Sequence, residues 1–234
     1  MSSYAYIGEN LKRIRERCAE RATALGVPTP RLIAVTKSAS ADEVRALVEE
    51  FGQRAIAENR TSLFCERYEM FSDATRPEMH LIGSLQTNKV KYIAGKTSLI
   101  QSLDSLRLAA EIEKQAVRRE IRIRALIEIN SGREENKGGV LPEEAEAFAC
   151  AVRENYPHVS LSGIMTMAPV CASNEEYRPY FRETAGVFRR LSDGGFFEGD
   201  GVLSMGMSGS YEAAIEEGAT VIRVGRALFA HEDE

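Results

Sequence analysis

Histidines, paired cysteines and long apolar runs are scarce in this sequence, and each absence excludes a class of protein. The three histidines, His80, His158 and His231, lie far apart, and there is no HExxH segment. A transition-metal site built from protein ligands is therefore not expected. No apolar run is long enough to span a bilayer, and the amino terminus lacks the apolar segment of a signal peptide. We accordingly expect neither a metal centre nor a membrane anchor.

Cysteine spacing and charge balance bear on the cellular compartment and on the class of partner. The cysteines, Cys18, Cys65, Cys150 and Cys171, form no CxxC pair, a pattern typical of reduced thiols in a cytoplasmic protein. The formal net charge is −5, and acidic residues accompany the arginines, which gives no indication of a nucleic-acid partner. The GxGxxG and Walker A segments are also absent, and residues 206–210 miss the GxSxG nucleophile elbow at their last position.

What the sequence does contain is a regular alternation of short apolar segments and amphipathic segments. A first helix is predicted from the three- and four-residue spacing of apolar positions between Ile7 and Leu25. Predicted strands cover 31–37, 55–59, 79–83, 98–103, 121–130, 159–167, 202–207 and 220–224. Predicted helices between them cover 41–51, 61–71, 87–95, 105–119, 142–155, 174–191 and 211–217. This order predicts one α/β domain over 1–234, with a helix within 1–26 before a (β/α)₈ TIM-type barrel over 31–230; an open doubly wound sheet is the alternative.

The first predicted strand, RLIAVTK, ends in Lys37 at the carboxyl-terminal mouth of the barrel, where active sites of this fold lie. Ser40 and Glu43 follow as an S-x-x-E capping box, which marks the start of the next helix. We expect Lys37 to be partly desolvated, and desolvation frees an amine to attack carbonyl groups. The alternative is an ordinary lysine whose side chain leads out to solvent.

The last two βα units contain two further signals. Ser208 and Gly225 lie in loops after the seventh and eighth strands, where small residues let backbone N–H groups approach an anion. Arg223 interrupts an otherwise apolar strand, and a buried guanidinium needs a partner. That partner is either a structural carboxylate, Asp104 or Glu128, or an acceptor atom of a ligand. An amine, an anion site and an arginine at one mouth suit a phosphate-bearing aldehyde, either pyridoxal 5′-phosphate (PLP) or a sugar phosphate.

Seven segments of the chain resemble, in order, the motifs of the pyridoxal phosphate homeostasis protein family. They are RLIAVTK, AEN at 57–59, HLIGSLQTNK at 80–89, SLDSLRLA at 102–109, IEINSGREENKGG at 127–139, GIMTMAP at 163–169 and the segment 204–229. The resemblance implies a single (β/α)₈ barrel similar to the amino-terminal domain of alanine racemase. It also implies that Lys37 binds PLP as an internal aldimine.

The same resemblance assigns roles to the other candidate residues. Ser208, Gly225 and Arg226 match phosphate-binding positions, and Arg223 matches the arginine that faces the cofactor ring. Asn59 and His80 match positions that line the pocket. The chain departs from the family pattern at Ala57, Arg60, Ser210, Arg226 and Ala230. At Arg226 the family usually has Thr or Ser, so a cation replaces a hydroxyl there.

Three functions fit these features: a non-catalytic PLP-binding protein of intracellular PLP homeostasis, a PLP-dependent racemase-like enzyme, and a Schiff-base aldolase. A racemase needs an acid or base on each face of the α-carbon. Alanine racemase takes the second group from another domain, whereas here only ten residues follow the predicted eighth strand, and Tyr211 is the only tyrosine in a predicted mouth loop. We therefore favour the homeostasis role, in a monomer or weak dimer that hands PLP to apo-enzymes. Lys89, Lys91 and Lys137 are interpreted as exposed cations rather than a second PLP site.

Overall fold

The structure, a computed structural model that describes residues 3–231, is built around a closed barrel of eight parallel strands. The strands are β1 Arg31–Val35, β2 Ala55–Glu58, β3 Glu78–Leu81, β4 Leu99–Leu103, β5 Ile123–Ile129, β6 Val159–Thr166, β7 Val202–Ser204 and β8 Val221–Val224. Each strand pairs with its neighbour in sequence, and β8 closes the barrel against β1, where Ile33 lies beside Arg223. The predicted barrel is confirmed, and the open sheet is wrong.

Helices surround the barrel and alternate with its strands. They are α1 Ala5–Leu25, α2 Ala41–Glu49, α3 Thr61–Glu69, α4 Val90–Ile93, α5 Leu106–Arg119, α6 Ala145–Asn155, α7 Asn174–Asp193, α8 Tyr211–Glu216 and α9 Arg226–Phe229. The predicted helix 142–155 is wrong at its start, since residues 142–144 form a turn and α6 begins at Ala145. Helix α9 was not predicted. Within residues 3–231, no helix has both the length and the apolar composition that crossing a membrane requires.

The predicted amino-terminal helix corresponds to α1. Its buried apolar positions are Ile7, Leu11, Ile14, Cys18 and Ala22, as the spacing predicts, whereas Leu25 at the end of the helix is exposed. Gly26 ends the helix in the left-handed region, at φ 67°, where its N–H donates to the last carbonyls. The predicted ranges 1–26 and 1–234 also include residues 1, 2 and 232–234, which lie outside the described part of the chain.

Alternation along the strands separates two apolar layers. The interior of the barrel contains Ile33, Val35, Ala55, Ala57 and Val221. The residues between them, such as Ala34, Ile56 and Ile222, belong to the larger layer between the barrel and the helices. Because side chains alternate with a period of two, a polar residue in register with the first set lies inside the barrel.

Candidate functional site

Lys37 lies two residues beyond the end of β1, at the carboxyl-terminal mouth of the barrel. The Thr36 N–H still donates to the Ala57 carbonyl oxygen at 3.1 Å, so the chain remains paired with β2 up to the residue before the lysine. Thr36 is fully buried, but Lys37 is exposed. The expectation that Lys37 is desolvated is therefore wrong for this open mouth, because the strand ends before it and its amine is accessible from solvent.

The loop that carries Lys37 is held from behind by buried polar groups. The Thr36 hydroxyl donates to the carboxylate of Glu58, at the end of β2. Arg67 of α3 donates from Nη2 to the Ala39 carbonyl oxygen at 2.6 Å, and the Ala39 N–H donates to the Thr36 carbonyl oxygen at 3.1 Å. The short connection between β1 and α2 is therefore anchored on both sides of Lys37.

Glu58 is a functional candidate that the sequence did not single out. Its side chain is fully buried, and Arg67 Nε lies 3.7 Å from its Oε1. Burial raises the pKa of Glu58 to about 7, although the Thr36 hydroxyl and the Arg67 charge oppose the shift. In the sequence, Glu58 lies near the end of the predicted strand 55–59. Only its contact with Thr36 shows that it supports the Lys37 loop.

The opposite side of the mouth is formed by the loops after β7 and β8. Ser208 Oγ accepts a hydrogen bond from the Ala227 N–H at 3.2 Å, which joins the two loops and leaves the hydroxyl proton of Ser208 able to donate. A Cβ on Gly225 would lie 2.9 Å from the Val35 carbonyl oxygen, so only glycine lets this loop lie so close to β1. Arg226 is exposed at the start of α9. The structure thus brings the Ser208–Gly225 loops beside the strand that leads to Lys37.

Arg223 lies inside the barrel, where its guanidinium bonds to neutral acceptors. Nη1 donates to Ser204 Oγ at 2.7 Å, and Nη2 donates to the Thr166 carbonyl oxygen at 2.8 Å. The predicted structural partnership with Asp104 or Glu128 is therefore wrong as a direct contact. Burial lowers the pKa of Arg223 to about 10, and the charge of Glu128 opposes this shift.

Glu128 lies on the inner side of β5, in register with the interior residue Leu126. Burial and the nearby Asp104 charge raise its pKa to about 7, while Arg223 opposes the shift. A carboxyl group with such a pKa can accept or donate a proton near neutral pH. The sequence marked Glu128 only as a possible partner of Arg223, so this property was missed.

The two residues expected to line the pocket are in different surroundings. His80 is buried inside the barrel, where its Nδ1 lies 3.0 Å from Gln101 Nε2. Asn59 lines a cavity of about 570 Å³ together with Arg60, Lys89 and Tyr92. Lys89 also lies over the Tyr92 ring, 5.6 Å from its centre. Asn59 is therefore accessible from solvent, whereas His80 is enclosed within the barrel.

Tyr211, the tyrosine of the predicted mouth loops, belongs to the outer layer. Its ring packs in the layer between the barrel and the helices, and burial raises its pKa, with further effects from Cys18 and Arg17 of α1. The side chain is thus close to α1. Its contacts therefore lie in the layer between the barrel and the helices.

Comparison with known proteins places this architecture among relatives. Residues 7–233 match the alanine racemase N-terminal domain family. The pyridoxal phosphate homeostasis protein of Aquifex aeolicus is 40% identical over 232 residues, covering 98% of each chain. The protein of the same name from Escherichia coli K12 is 31% identical over 234 residues, covering 97% of each chain.

Solved structures show the same similarity in three dimensions. PipY of Synechococcus elongatus PCC7942 with PLP bound has a TM-score of 0.81 at 26% identity, covering 96% of this chain and 100% of that chain. Alanine racemase from Corynebacterium glutamicum has a TM-score of 0.73 at 14% identity. It shares the fold over 98% of this chain and 61% of its own chain.

Proposed function

This chain belongs to the family of pyridoxal phosphate homeostasis proteins, and on that premise we propose that it binds PLP at the mouth of its barrel. Two relatives of at least 30% identity over nearly the whole chain carry that name, and the structure of the similar PipY contains PLP. Family membership also favours a PLP-binding protein over the cofactor-free aldolase.

The close approach of Gly225 to β1 is the observation that carries the proposal. It brings the loops that hold the Ser208 hydroxyl and the Arg226 guanidinium next to the strand that leads to Lys37. A phosphate ester is recognised by hydroxyl, guanidinium and backbone N–H donors, and an aldehyde by an amine. The residues therefore fit a compound that carries both groups.

Each residue has a distinct role in this proposal. When bound, PLP supplies an aldehyde that condenses with a primary amine to a Schiff base and releases water. Lys37 would provide the amine, and Ser208, Gly225 and Arg226 would hold the phosphate. Arg223 would contact the cofactor ring from inside the barrel. Asn59, which follows β2, would contribute its amide at the same mouth.

We propose that the protein holds PLP and releases it to apo-enzymes in the cytoplasm, as a monomer or weak dimer. The exposure of Lys37 supports this role, because water and incoming amines can reach the amine and reverse the condensation. The outward position of Tyr211 also supports it, since a second acid or base for amino-acid turnover is not supplied by that residue.

Covalent labelling tests the role of Lys37. Purified protein incubated with PLP should develop an absorbance band shifted from that of free PLP, and borohydride reduction followed by peptide mapping should locate the label on Lys37. Lys37→Arg keeps the positive charge but cannot condense, so it should show neither band nor label. Lys91→Arg serves as the matched control. A label on Lys89 or Lys137 instead, or no band in the wild-type protein, would contradict the proposal.

Glu128 favours racemase-like catalysis as a second candidate function. Its pKa of about 7 suits proton transfer, and its charge acts on Arg223. If this function exists, the PLP-loaded protein should exchange the α-hydrogen of an amino acid in deuterated water, and Glu128→Gln should abolish the exchange while PLP labelling at Lys37 persists. No exchange across a panel of amino acids would leave the holding role as the better explanation.

A further inference from the structure

A continuous series of hydrogen bonds crosses the barrel interior behind Arg223. Arg223 Nη1 donates to Ser204 Oγ at 2.7 Å, and the Ser204 hydroxyl donates to Gln101 Oε1 at 2.7 Å. Gln101 Nε2 lies 3.0 Å from His80 Nδ1. We call Ser204, Gln101 and His80 the interior chain. It connects the β8 arginine to β7, β4 and β3 through residues that are no more than 4% exposed.

The chemistry of the groups sets the direction of every bond. A guanidinium can only donate, so the Ser204 oxygen accepts from Arg223 and its proton is free for Gln101. The Gln101 carbonyl oxygen accepts that proton, and its amide therefore donates to the histidine. His80 Nδ1 must then be the acceptor. The ring proton of a neutral His80 lies on Nε2.

His80 is the last residue of the interior chain, and its surroundings favour the neutral form of the imidazole. Its Nε2 is buried and has no hydrogen-bond partner among residues 3–231, and the carboxylate oxygen Glu78 Oε2 lies 3.6 Å away. Burial lowers the pKa of His80, with Arg31 and Arg124 acting in the same direction and Glu78 opposing them. Glu78 is itself bound by Arg31 at 2.8 Å. A second proton on Nδ1 would also remove the acceptor that Gln101 uses.

The chain restricts the orientation of the guanidinium. Ser204 holds one terminal nitrogen of Arg223 and the Thr166 carbonyl oxygen holds the other, so the plane of the group is defined by two contacts on different strands. The hydroxyl proton of Ser204 points to Gln101, which directs an oxygen lone pair of Ser204 toward Arg223. Gln101 in turn keeps its orientation through His80.

From this geometry we propose that Ser204, Gln101 and His80 are positioning residues that orient the Arg223 guanidinium toward the ring of bound PLP, with His80 as the neutral Nε2–H tautomer. The part that concerns PLP rests on the proposed function. The tautomer and the bond directions are properties of the protein without ligand. The two parts can therefore fail separately.

Nitrogen NMR of the unliganded protein tests the bond directions. The full sequence has three histidines, so His158→Gln combined with His231→Gln leaves His80 as the only source of histidine signals. Near neutral pH, ¹⁵N spectra should show an unprotonated Nδ1 and a protonated Nε2. A protonated Nδ1 would overturn the interior chain whether or not the protein binds PLP.

Paired substitutions test the positioning role. Asn at position 80 can present its side-chain oxygen near the place of Nδ1, whereas Leu cannot. His80→Leu should weaken PLP binding about tenfold, because a misoriented Arg223 loses one charge-assisted hydrogen bond, and should shift the absorbance band of the bound cofactor. His80→Asn should restore both. Gln101→Leu should reproduce the effects of His80→Leu, because it removes the hydrogen bonds of the next residue in the interior chain.

Val202→Ala is the control for loosened packing, since Val202 lies on β7 in the barrel interior but does not belong to the interior chain. It should leave the absorbance band in place. Equal band positions in wild-type, His80→Leu and Gln101→Leu proteins would overturn the positioning role. Failure of the wild-type protein to bind PLP would instead overturn the proposed function. The NMR result would still test the bond directions of the interior chain.

Discussion

Arg67 of α3 donates a hydrogen bond from Nη2 to the carbonyl oxygen of Ala39 at 2.6 Å. The guanidinium is 3% exposed and also lies beside the buried Glu58 carboxylate. One arginine on α3 thus supports the loop that presents Lys37, as well as the carboxyl group behind that loop.

Replacing Arg67 with Met should destabilise the fold and loosen the Lys37 loop. Loss of one partner from a buried charge pair costs about 3 kcal/mol. The loss should be larger at pH 8 than at pH 5, because Glu58 without Arg67 is tolerated better when protonated. Urea unfolding at both pH values measures the effect. Arg45→Met, at an exposed position on α2, is the control, and an equal loss in the two variants would contradict the role of Arg67.

The raised pKa of Glu58 predicts a stability that falls with rising pH. Its ordinary value is 4.5 and burial raises it to about 7 in the folded protein. Between these values the folded state binds more protons than the unfolded state, so stability is greatest below about pH 4.5 for this group and declines through pH 7. The full contribution is about 3 kcal/mol.

Glu58→Gln isolates this group from Glu128, whose pKa is raised in the same direction. The stability of the variant relative to wild type should rise from pH 5 to pH 8, because Gln resembles the protonated acid and does not lose a proton. Unfolding free energies measured by urea titration from pH 5 to pH 8 test this. A difference between the two proteins that does not change with pH would contradict the assignment.

Gly83→Ala should disrupt the contact between the segments that follow β2 and β3. A Cβ at this position would lie 2.1 Å from the Asn59 carbonyl oxygen, so the backbone must move. We expect a loss of about 3 kcal/mol in unfolding free energy. Gly209→Ala is the matched control, because within the described part of the chain no atom beyond its two neighbouring residues lies within 4 Å of the point that its Cβ would occupy. Similar stabilities for the two variants, measured by urea unfolding, would show that this contact tolerates the methyl group.

Ser208→Ala should weaken the binding of PLP but not that of pyridoxal, which lacks the phosphate. Ser208 accepts from the Ala227 N–H, and its proton is left to donate to an anion. A hydrogen bond to a charged group corresponds to about a tenfold change in affinity. Fluorescence titration with both compounds measures the difference. An equal loss for PLP and pyridoxal would assign Ser208 to loop structure alone.

Arg226→Ala should lower PLP affinity in a salt-dependent way. Arg226 is exposed, so its attraction to a phosphate is screened by added salt. We expect a loss of roughly threefold at low ionic strength that largely disappears at high ionic strength. Arg226→Thr should recover part of the affinity through a hydroxyl and should remove the salt dependence. Salt-independent losses in Arg226→Ala would indicate that the residue acts on the shape of the loop.

Features encoded by neighbouring residues were predictable from the sequence. The capping box is confirmed, with the Ser40 N–H donating to Glu43 at 2.6 Å and the Glu43 N–H donating to Ser40 Oγ at 3.2 Å. The order of strands and helices follows from apolar spacing and turn residues, which are local. Helix α9 was missed because its four residues depend on distant contacts, such as Asn10 Nδ2 donating to the Leu228 carbonyl oxygen at 3.2 Å.

The sequence by itself determined the eight βα units and therefore the end of the barrel at which Lys37, Ser208 and Gly225 lie. Their order in a parallel barrel follows from chain connectivity, so no long-range contact was needed to infer it. The tertiary structure decided how much of each side chain is covered. Lys37 is exposed because β1 ends before it, whereas Glu58 is buried because α3 packs over it.

Only the closed barrel decided the partners of Arg223. Alternation identifies the residues that point inward, but it does not say which of them meet across the axis. Ser204 and Gln101 are 103 positions apart in the chain and bond at 2.7 Å because strand closure brings β7 and β4 to opposite sides of one narrow interior. That geometry gives Arg223 neutral acceptors within the protein instead of a direct carboxylate contact, and it places His80 at the end of the interior chain.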